Sequence, residues 1–278
     1  MPDIADDPRA HPPSPFAPPQ TAKLSRFRMA RVVAALILRE TGSRDSRASL
    51  GFLWNVIEPL VSIVILSILF SMIRASPPLG TNFALYYVTG VVPFHLYSAL
   101  SRQIARSMRF SRNLLGLPSV TVIDVIMARF LLSAITDLCV FIAIVFLLDA
   151  YYDLQLRPDM AAVLLGLGMA MALGLGIGTL NSVLFPASAV YESVWGLVNA
   201  PMLLVSGVFI HIEDLPGPIF DVLKWNPVAQ IVAQMRHAFF PSYDIAWVSP
   251  AYVLMIAAVC FALGLVGLYR YIFDVLDI

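Results

Sequence analysis

LRETGSRDSRASLGFLWNVIEPLVSIVILSILFSMI, Leu38 to Ile73, sets a polar segment holding three arginines directly against a long apolar run. From Gly51 to Ile73 the only charge is Glu58. A helix of about 23 residues is long enough to cross a hydrocarbon core of roughly 30 Å. A carboxylate one third of the way in, followed by the helix-loosening Pro59, is costly against lipid. This helix is therefore expected to face protein or a water-filled path.

Composition fixes the class. With 59% hydrophobic residues and 13% charged over 278 residues, and a mean hydropathy of +0.80, the chain lacks the polar surface that a soluble domain needs. It reads as an all-α polytopic membrane protein. Cys139 and Cys260 both fall in apolar runs, where small packing residues are the expected use and no disulfide is implied. Residues 1–22 carry seven prolines with Asp3, Asp6 and Asp7. They contain no apolar run that could act as a signal peptide and read as a disordered cytoplasmic tail. Residues 23–48 read as an amphipathic interface helix and linker, and 49–278 as a membrane domain of six helices.

The spans follow in order. After Gly51–Ile73 comes Phe83 to Leu100, broken by Gly90 and Pro93. Next are Ile126 to Leu148, with Arg129 and Asp137 inside and Asp124 just before, and the charge-free Met160 to Phe185. In the latter, Gly174, Gly176 and Gly178 sit where a neighbouring helix could approach closely. Ser193 to Ile212 and Ala251 to Tyr269 complete six candidates. His211 to Ser249 is too polar for a seventh span and too apolar for an ordinary loop. Short interfacial or re-entrant helices fit it, with Pro227 suited to a first helical turn.

Basic residues set the orientation. Arg9, Lys23, Arg26, Arg28, Arg31, Arg39, Arg44 and Arg47 precede the first span, Arg102, Arg106, Arg109 and Arg112 follow the second, and Arg270 ends the last. The opposite side has Arg74, Arg157, Lys224 and Arg236. Thirteen against four, with Arg129 inside a span, puts both termini in the cytoplasm. Between Leu24 and Glu40, Arg28, Arg31 and Arg39 share a face beside Val32, Val33, Leu36 and Ile37, a pattern that lies along the inner membrane surface. A plain topology anchor accounts for the same charges.

Several chemistries are missing from the sequence. A P-loop needs Gly-Lys-Ser/Thr, and the two lysines, Lys23 and Lys224, precede Leu24 and Trp225. His11, His95, His211 and His237 are scattered, without HExxH spacing or a nearby cysteine, so no metal site is expected. GLGIG lacks the strand and spacing of a dinucleotide fingerprint.

LILRETGSRDSRASLGFLWNVIEPL resembles the start of the permease subunits of capsular polysaccharide ABC exporters. There a Leu-Arg-Glu ending an interface helix precedes Gly-aromatic-Leu-Trp and Glu-Pro. The matching positions are Leu38, Arg39, Glu40, Gly51, Phe52, Leu53, Trp54, Glu58 and Pro59. Gly90-Val91-Val92-Pro93-Phe94, Ile123-Asp124-Val125-Ile126-Met127-Ala128-Arg129 and Trp225-Asn226-Pro227 agree as well, so the resemblance runs from Leu36 to Tyr271.

The resemblance implies a homodimeric type-2 ABC permease in a bacterial inner membrane, whose two copies enclose a path for a lipid-linked polysaccharide. It implies no enzyme activity and no cofactor on this chain; two copies of a separate cytoplasmic ATPase would carry ATP and Mg. Membrane lipid surrounds the assembly, and nucleic acid is not an expected partner. A type-2 permease for a drug or lipid, or a polytopic enzyme acting on lipid-linked sugars, are the competing readings.

Sugars stack on aromatic faces, so Trp54, Tyr87, Phe94, Tyr97, Tyr191 and Trp195, with Glu58, are candidates for the path, or else members of an interfacial belt. Arg28, Arg31, Arg39, Arg106, Arg109 and Arg112 are candidates for coupling to the ATPase. Arg102, Arg106 and Arg109 would form one stripe if the second span continued as a helix. Glu58, Asp124, Arg129 and Asp137 are candidates for intramembrane ion pairs, with Arg129 the expected counter-charge of Glu58 by elimination.

Overall fold

The computed structural model describes residues 47–108 and 121–276, with side chains for 57–108 and 121–270. The tail at 1–22, nearly all of the interface segment at 23–48, and Arg109 and Arg112 lie outside the described residues. Among the described residues eight α-helices follow in chain order. They are α1 (Arg47–Ile73), α2 (Phe83–Ala105), α3 (Val122–Tyr152), α4 (Met160–Ala187), α5 (Ala189–Val205), α6 (Gly217–Leu223), α7 (Pro227–Phe239) and α8 (Pro250–Leu276). A single 3₁₀ turn, Ile212–Asp214, lies between α5 and α6, and no strand occurs among the described residues.

Short polar side chains start these helices by accepting hydrogen bonds from otherwise orphaned first-turn amides. Asn82 Oδ1 accepts from the amides of Ala84 and Leu85 at 2.8 and 3.2 Å. Thr121 and Asp124 form a reciprocal capping box at α3, and Asp159 Oδ1 accepts from the Ala161 amide at 2.9 Å. Pro59, Pro93, Pro186 and Pro201 lie inside α1, α2, α4 and α5. The expected break of the second span at Gly90 and Pro93 is not there, because α2 runs unbroken past both. Packed helices can re-satisfy a carbonyl that a proline releases, so such residues are tolerated within a bundle.

Helix α4 is the centre. It packs against α2 on one side, α8 on another and α7 near its start. Between lipid-solvated helices there is little hydrophobic drive to associate, so small residues that admit close backbone contact carry the packing. A β-carbon at Gly174 or Gly178 would meet Leu100 Cβ at 2.9 Å or Ile104 Cβ at 2.8 Å on α2. One at Gly176 would stand 2.2 Å from the Ala257 carbonyl oxygen on α8, and one at Gly264 of α8 would stand 2.6 Å from the Leu180 amide nitrogen. The GLGIG cluster is thus a two-sided packing surface, as its sequence suggested.

Among the described residues four helices, α2, α3, α4 and α8, are long and apolar enough to cross a membrane, while Ile57–Ile73 of α1 and Ala189–Val205 are shorter apolar helices. Large apolar side chains stand outside the bundle, among them Val64, Ile68, Ile135, Phe146, Leu197, Val198, Val259 and Leu263. The segment from His211 to Ser249 folds as expected into short helices, with Pro227 in the first turn of α7. Ten of the thirteen residues of α7 are buried, so this helix is a plug inserted into the bundle.

Replacing Gly176 with valine puts branched carbon against a backbone carbonyl that no rotamer change relieves. We expect a loss at or above the ~1–3 kcal/mol typical of overpacking, read as a lowered Tm and poor recovery in detergent. Gly168→Ala is the matched control. Nothing lies within 4 Å of a β-carbon there, so the protein should be unchanged or slightly more stable.

Candidate functional site

One face of α2 changes character along its length. Val91 and Phe94 give way to His95 and Ser98, and then to Arg102 and Arg106. Across from it, α1 presents Glu58, Ser62, Ile65 and Leu66 at helical spacing. Between the two helices runs a cleft with two connected chambers. The first, of about 300 Å³, is walled by Pro59, Ile65, Leu66, Val91, Phe94, Leu203 and Phe209. The second, of about 260 Å³, is lined by Ala99, Gln103, Arg106 and Arg129. Glu58, His95 and Arg102 belong to both.

His95 Nε2 stands 3.8 Å from Glu58 Oε2, an ion pair when the imidazole is protonated. The histidine side chain is 12% exposed and the glutamate 48%, so water reaches the pair from the glutamate side. The group found against Glu58 is therefore His95, whereas elimination in the sequence pointed to Arg129. Arg129 lines the same cleft. Asp124 serves the α3 cap, its Oδ2 accepting from the Thr121 amide and hydroxyl at 2.9 and 2.7 Å. Asp137 is buried on α3, two turns beyond Arg129, with Ser133 between them donating its hydroxyl to Gln103 Oε1 of α2. Arg129, Ser133 and Asp137 share one stripe of α3, of which Arg129 lines the cleft while Ser133 and Asp137 are buried.

The aromatic candidates divide. Phe94 lines the cleft and meets Tyr97 edge-on at 6.2 Å. Tyr191 and Trp195 stack at 6.0 Å on partly exposed positions of α5, with the Tyr191 hydroxyl donating to Asn181 Oδ1 at 2.9 Å. Tyr87 and Tyr97 are buried in the core, where α2 is pressed against its neighbours, and line no cleft. The Trp54 side chain lies outside the described residues, as do Arg28, Arg31 and Arg39. Helix α2 ends at Ala105 with Arg106 as its C-cap, and Arg106 Nη2 stands 3.7 Å from Glu192 Oε1 in the first turn of α5.

Sequence reasoning gave His95 no role. Its signal was available, because His95, Arg102 and Arg106 fall at i, i+7 and i+11 on one helical face. Arg236, counted in the sequence only as a charge on the non-cytoplasmic side, has a fully buried side chain. Beyond the apolar end of the cleft, burial holds the His211 imidazole below its usual range, partly offset by Glu213 at 3.7 Å. Among the described residues no three His, Cys, Asp or Glu side chains converge as a metal site would require. What the cleft offers is cations, a histidine, hydroxyls and an aromatic edge, a set suited to holding a polar or anionic chain in passing.

A family model described as ABC-2 type transporter matches residues 31–240. The chain is 28% identical over 250 residues to the polysialic acid transport protein KpsM of Escherichia coli, covering 88% of this chain and 95% of that one. It is 27% identical over 235 residues to the capsule polysaccharide export inner-membrane protein CtrC of Neisseria meningitidis serogroup B, covering 84% and 89%. To BexB of Haemophilus influenzae, which carries the same description, it is 25% identical over 249 residues, covering 88% and 93%.

A half-exposed ion pair contributes about 0–1 kcal/mol to stability. Glu58→Gln and His95→Gln should therefore each leave Tm nearly unchanged, and the double variant should cost no more than the larger single one. Thermal unfolding of the purified variants in detergent measures this. A steep loss of stability in either single variant would show the pair to be a structural tether.

Proposed function

The chain belongs to the ABC-2 type transporter family, and from that premise we propose that it is the permease subunit of an exporter of lipid-linked capsular or related cell-surface polysaccharide. The observation that carries the reading is its near end-to-end match with proteins named for polysialic acid transport and capsule polysaccharide export. The reading places the chain in the inner membrane as a transporter subunit, not an enzyme. ATP and Mg belong to a separate cytoplasmic ATPase, and the sequence offers no phosphate-binding lysine that would substitute for it.

In this reading α1 to α5 and α8 are the six spans, both termini are cytoplasmic, and two copies of the chain work with two ATPase copies. The unequal distribution of basic residues supports the orientation. The second copy is supported by α5, an apolar helix none of whose residues is buried within one protomer. The cleft is the path, with the Arg102–Arg106 end towards the cytoplasm and the Phe209 end outward. Sugar hydroxyls and acidic groups would meet Arg102, His95 and Ser98, while Phe94 offers an edge to a sugar ring. Arg106, with Arg28, Arg31, Arg39, Arg109 and Arg112, would form the basic surface that docks the ATPase.

Deleting the gene should abolish surface polysaccharide while lipid-linked glycan accumulates inside the cell. Loss of both would point to an enzyme in the assembly of the glycan. Glu58→Gln should reach the membrane in normal amount, co-purify with the ATPase, and export several-fold less. Full export by that variant would remove Glu58 from the path. For orientation, Ser242→Cys in a background lacking Cys139 and Cys260 should label in intact cells with an impermeant thiol reagent. Protection until the cells are opened would reverse the topology.

A further inference from the structure

Arg236 has the largest of the fully buried side chains, and it sits in a helix pressed into the bundle. Among the described residues no carboxylate lies within 4 Å of it. Its guanidinium carbon lies 4.1 Å from the centroid of the Tyr86 ring, and Nη2 donates to the Val208 carbonyl at 3.1 Å. A desolvated guanidinium is a costly way to fill space that methionine or leucine would fill without charge. Its placement makes sense if the polar contact itself is needed, and the contact it makes is to the turn following α5.

That turn borders the apolar chamber of the cleft through Phe209. Leu203 and Phe209 line the apolar chamber, and the Phe209 ring lies 6.5 Å from that of Phe70, one helical turn beyond Leu66 on α1. The turn pivots at Gly207, whose φ of +74° lies in the left-handed region and where a β-carbon would strike Ile212 Cγ2 at 2.6 Å. Val208 fits because Gly90 of α2 leaves room for it; a β-carbon at Gly90 would touch Val208 Cγ1 at 3.2 Å. A second tie comes from the start of α7, where Asn226 Nδ2 donates to Ser206 Oγ at 3.3 Å. Helix α7 thus grips the turn at both ends, by Asn226 on Ser206 and by Arg236 on Val208.

We infer that Arg236 is the positioning residue of an outer gate. Lying on Tyr86 and bonded to the Val208 carbonyl, it holds the 206–211 turn so that Phe209 stands across the end of the cleft. The gate opens when α7 shifts and this bond is released, with Gly207 taking up the change. The inference rests on the cleft being the transport path, as proposed above. A residue that only anchored α7 would affect folding without affecting the seal.

The test uses the permease with its ATPase, reconstituted in planar bilayers without nucleotide, and reads the conductance to potassium chloride. The wild-type complex should be tight. Arg236→Met, with normal recovery and an unchanged Tm, should raise the conductance severalfold, and Phe209→Ala should do the same without touching the arginine. The double variant should leak no more than the leakier single one, since both open one gate. If Arg236→Met does not accumulate, Tyr86→Leu, which removes the surface the guanidinium lies on, is measured in its place. A tight Arg236→Met or Tyr86→Leu beside a leaky Phe209→Ala overturns the latch and leaves the path intact. A tight Phe209→Ala overturns the assignment of the cleft as the path, and the gate with it.

Discussion

Gly176 lets the carbonyl of Ala257 approach α4 so closely that a β-carbon would stand 2.2 Å from it, and Gly174 and Gly178 admit α2 from the other side. Everything that positions the cleft depends on this double approach. In hydrocarbon the apolar side chains of a helix gain nothing by meeting each other in place of lipid, so backbone-to-backbone packing is what holds α2, α4 and α8 as a unit. Once α2 is fixed against α4, its buried face carries Tyr86, Tyr97 and Leu100. Its opposite face, with Phe94, His95 and Arg102, is left for the cleft.

Polar groups inside the bundle are handled in two different ways. Hydroxyls satisfy themselves locally, as Thr89 does on the Tyr86 carbonyl at 2.8 Å and Thr179 on the Leu175 carbonyl at 2.7 Å. Such groups need nothing from another helix. Asp124 does likewise at the start of α3, whereas other ionisable side chains tie elements together: Glu58 of α1 with His95 of α2, Arg106 of α2 with Glu192 of α5, and Arg236 of α7 with the turn after α5. Each of these ties spans a boundary that a transport cycle would have to deform. Charges at such boundaries have low barriers to rearrangement where water reaches them, as at Glu58 and Arg106, and high ones where it does not, as at Arg236.

The helical class and the order of the apolar segments were legible because hydropathy over some twenty residues is a strong signal and because glycine spacing reports close packing directly. Pro227 likewise announced the start of α7. What escaped the sequence was lateral position. Gly90 and Pro93 read as a break because propensity counts the lost hydrogen bond, yet α2 continues since its neighbours compensate. Arg236 entered the sequence reading only as one charge on the non-cytoplasmic side; interfacial and re-entrant helices both fitted its segment, and the fold shows α7 buried in the bundle with that arginine inside. Glu58 drew attention to Arg129, the basic residue inside an apolar run. His95 carries no formal charge in such a count, and nothing in a linear reading says that α1 crosses α2 at that turn.

The cleft is built asymmetrically, and the asymmetry bears on how work could be done on a cargo. Its basic chamber holds Arg102, Arg106 and Arg129 and would attract an acidic chain from a distance, though within a Debye length of about 8 Å at physiological salt. Beyond the Glu58, His95 and Arg102 that it shares with the basic chamber, its apolar chamber offers only the hydroxyls of Ser62 and Ser98, so a chain moving past those three would exchange charge-assisted bonds for a poorly solvating wall. The free energy therefore rises from the Arg102 end towards Phe209, and a cargo left to itself would rest among the arginines. An energy source acting on the Arg106 end can lift the cargo over that rise only if the arginines and the far wall move together. In the transport reading proposed above, the Arg106–Glu192 contact would link the two, because Glu192 sits at the start of α5 while Leu203 and the 206–211 turn sit at its end. A push on the C-terminus of α2 would then reach the gate along a single helix of 17 residues.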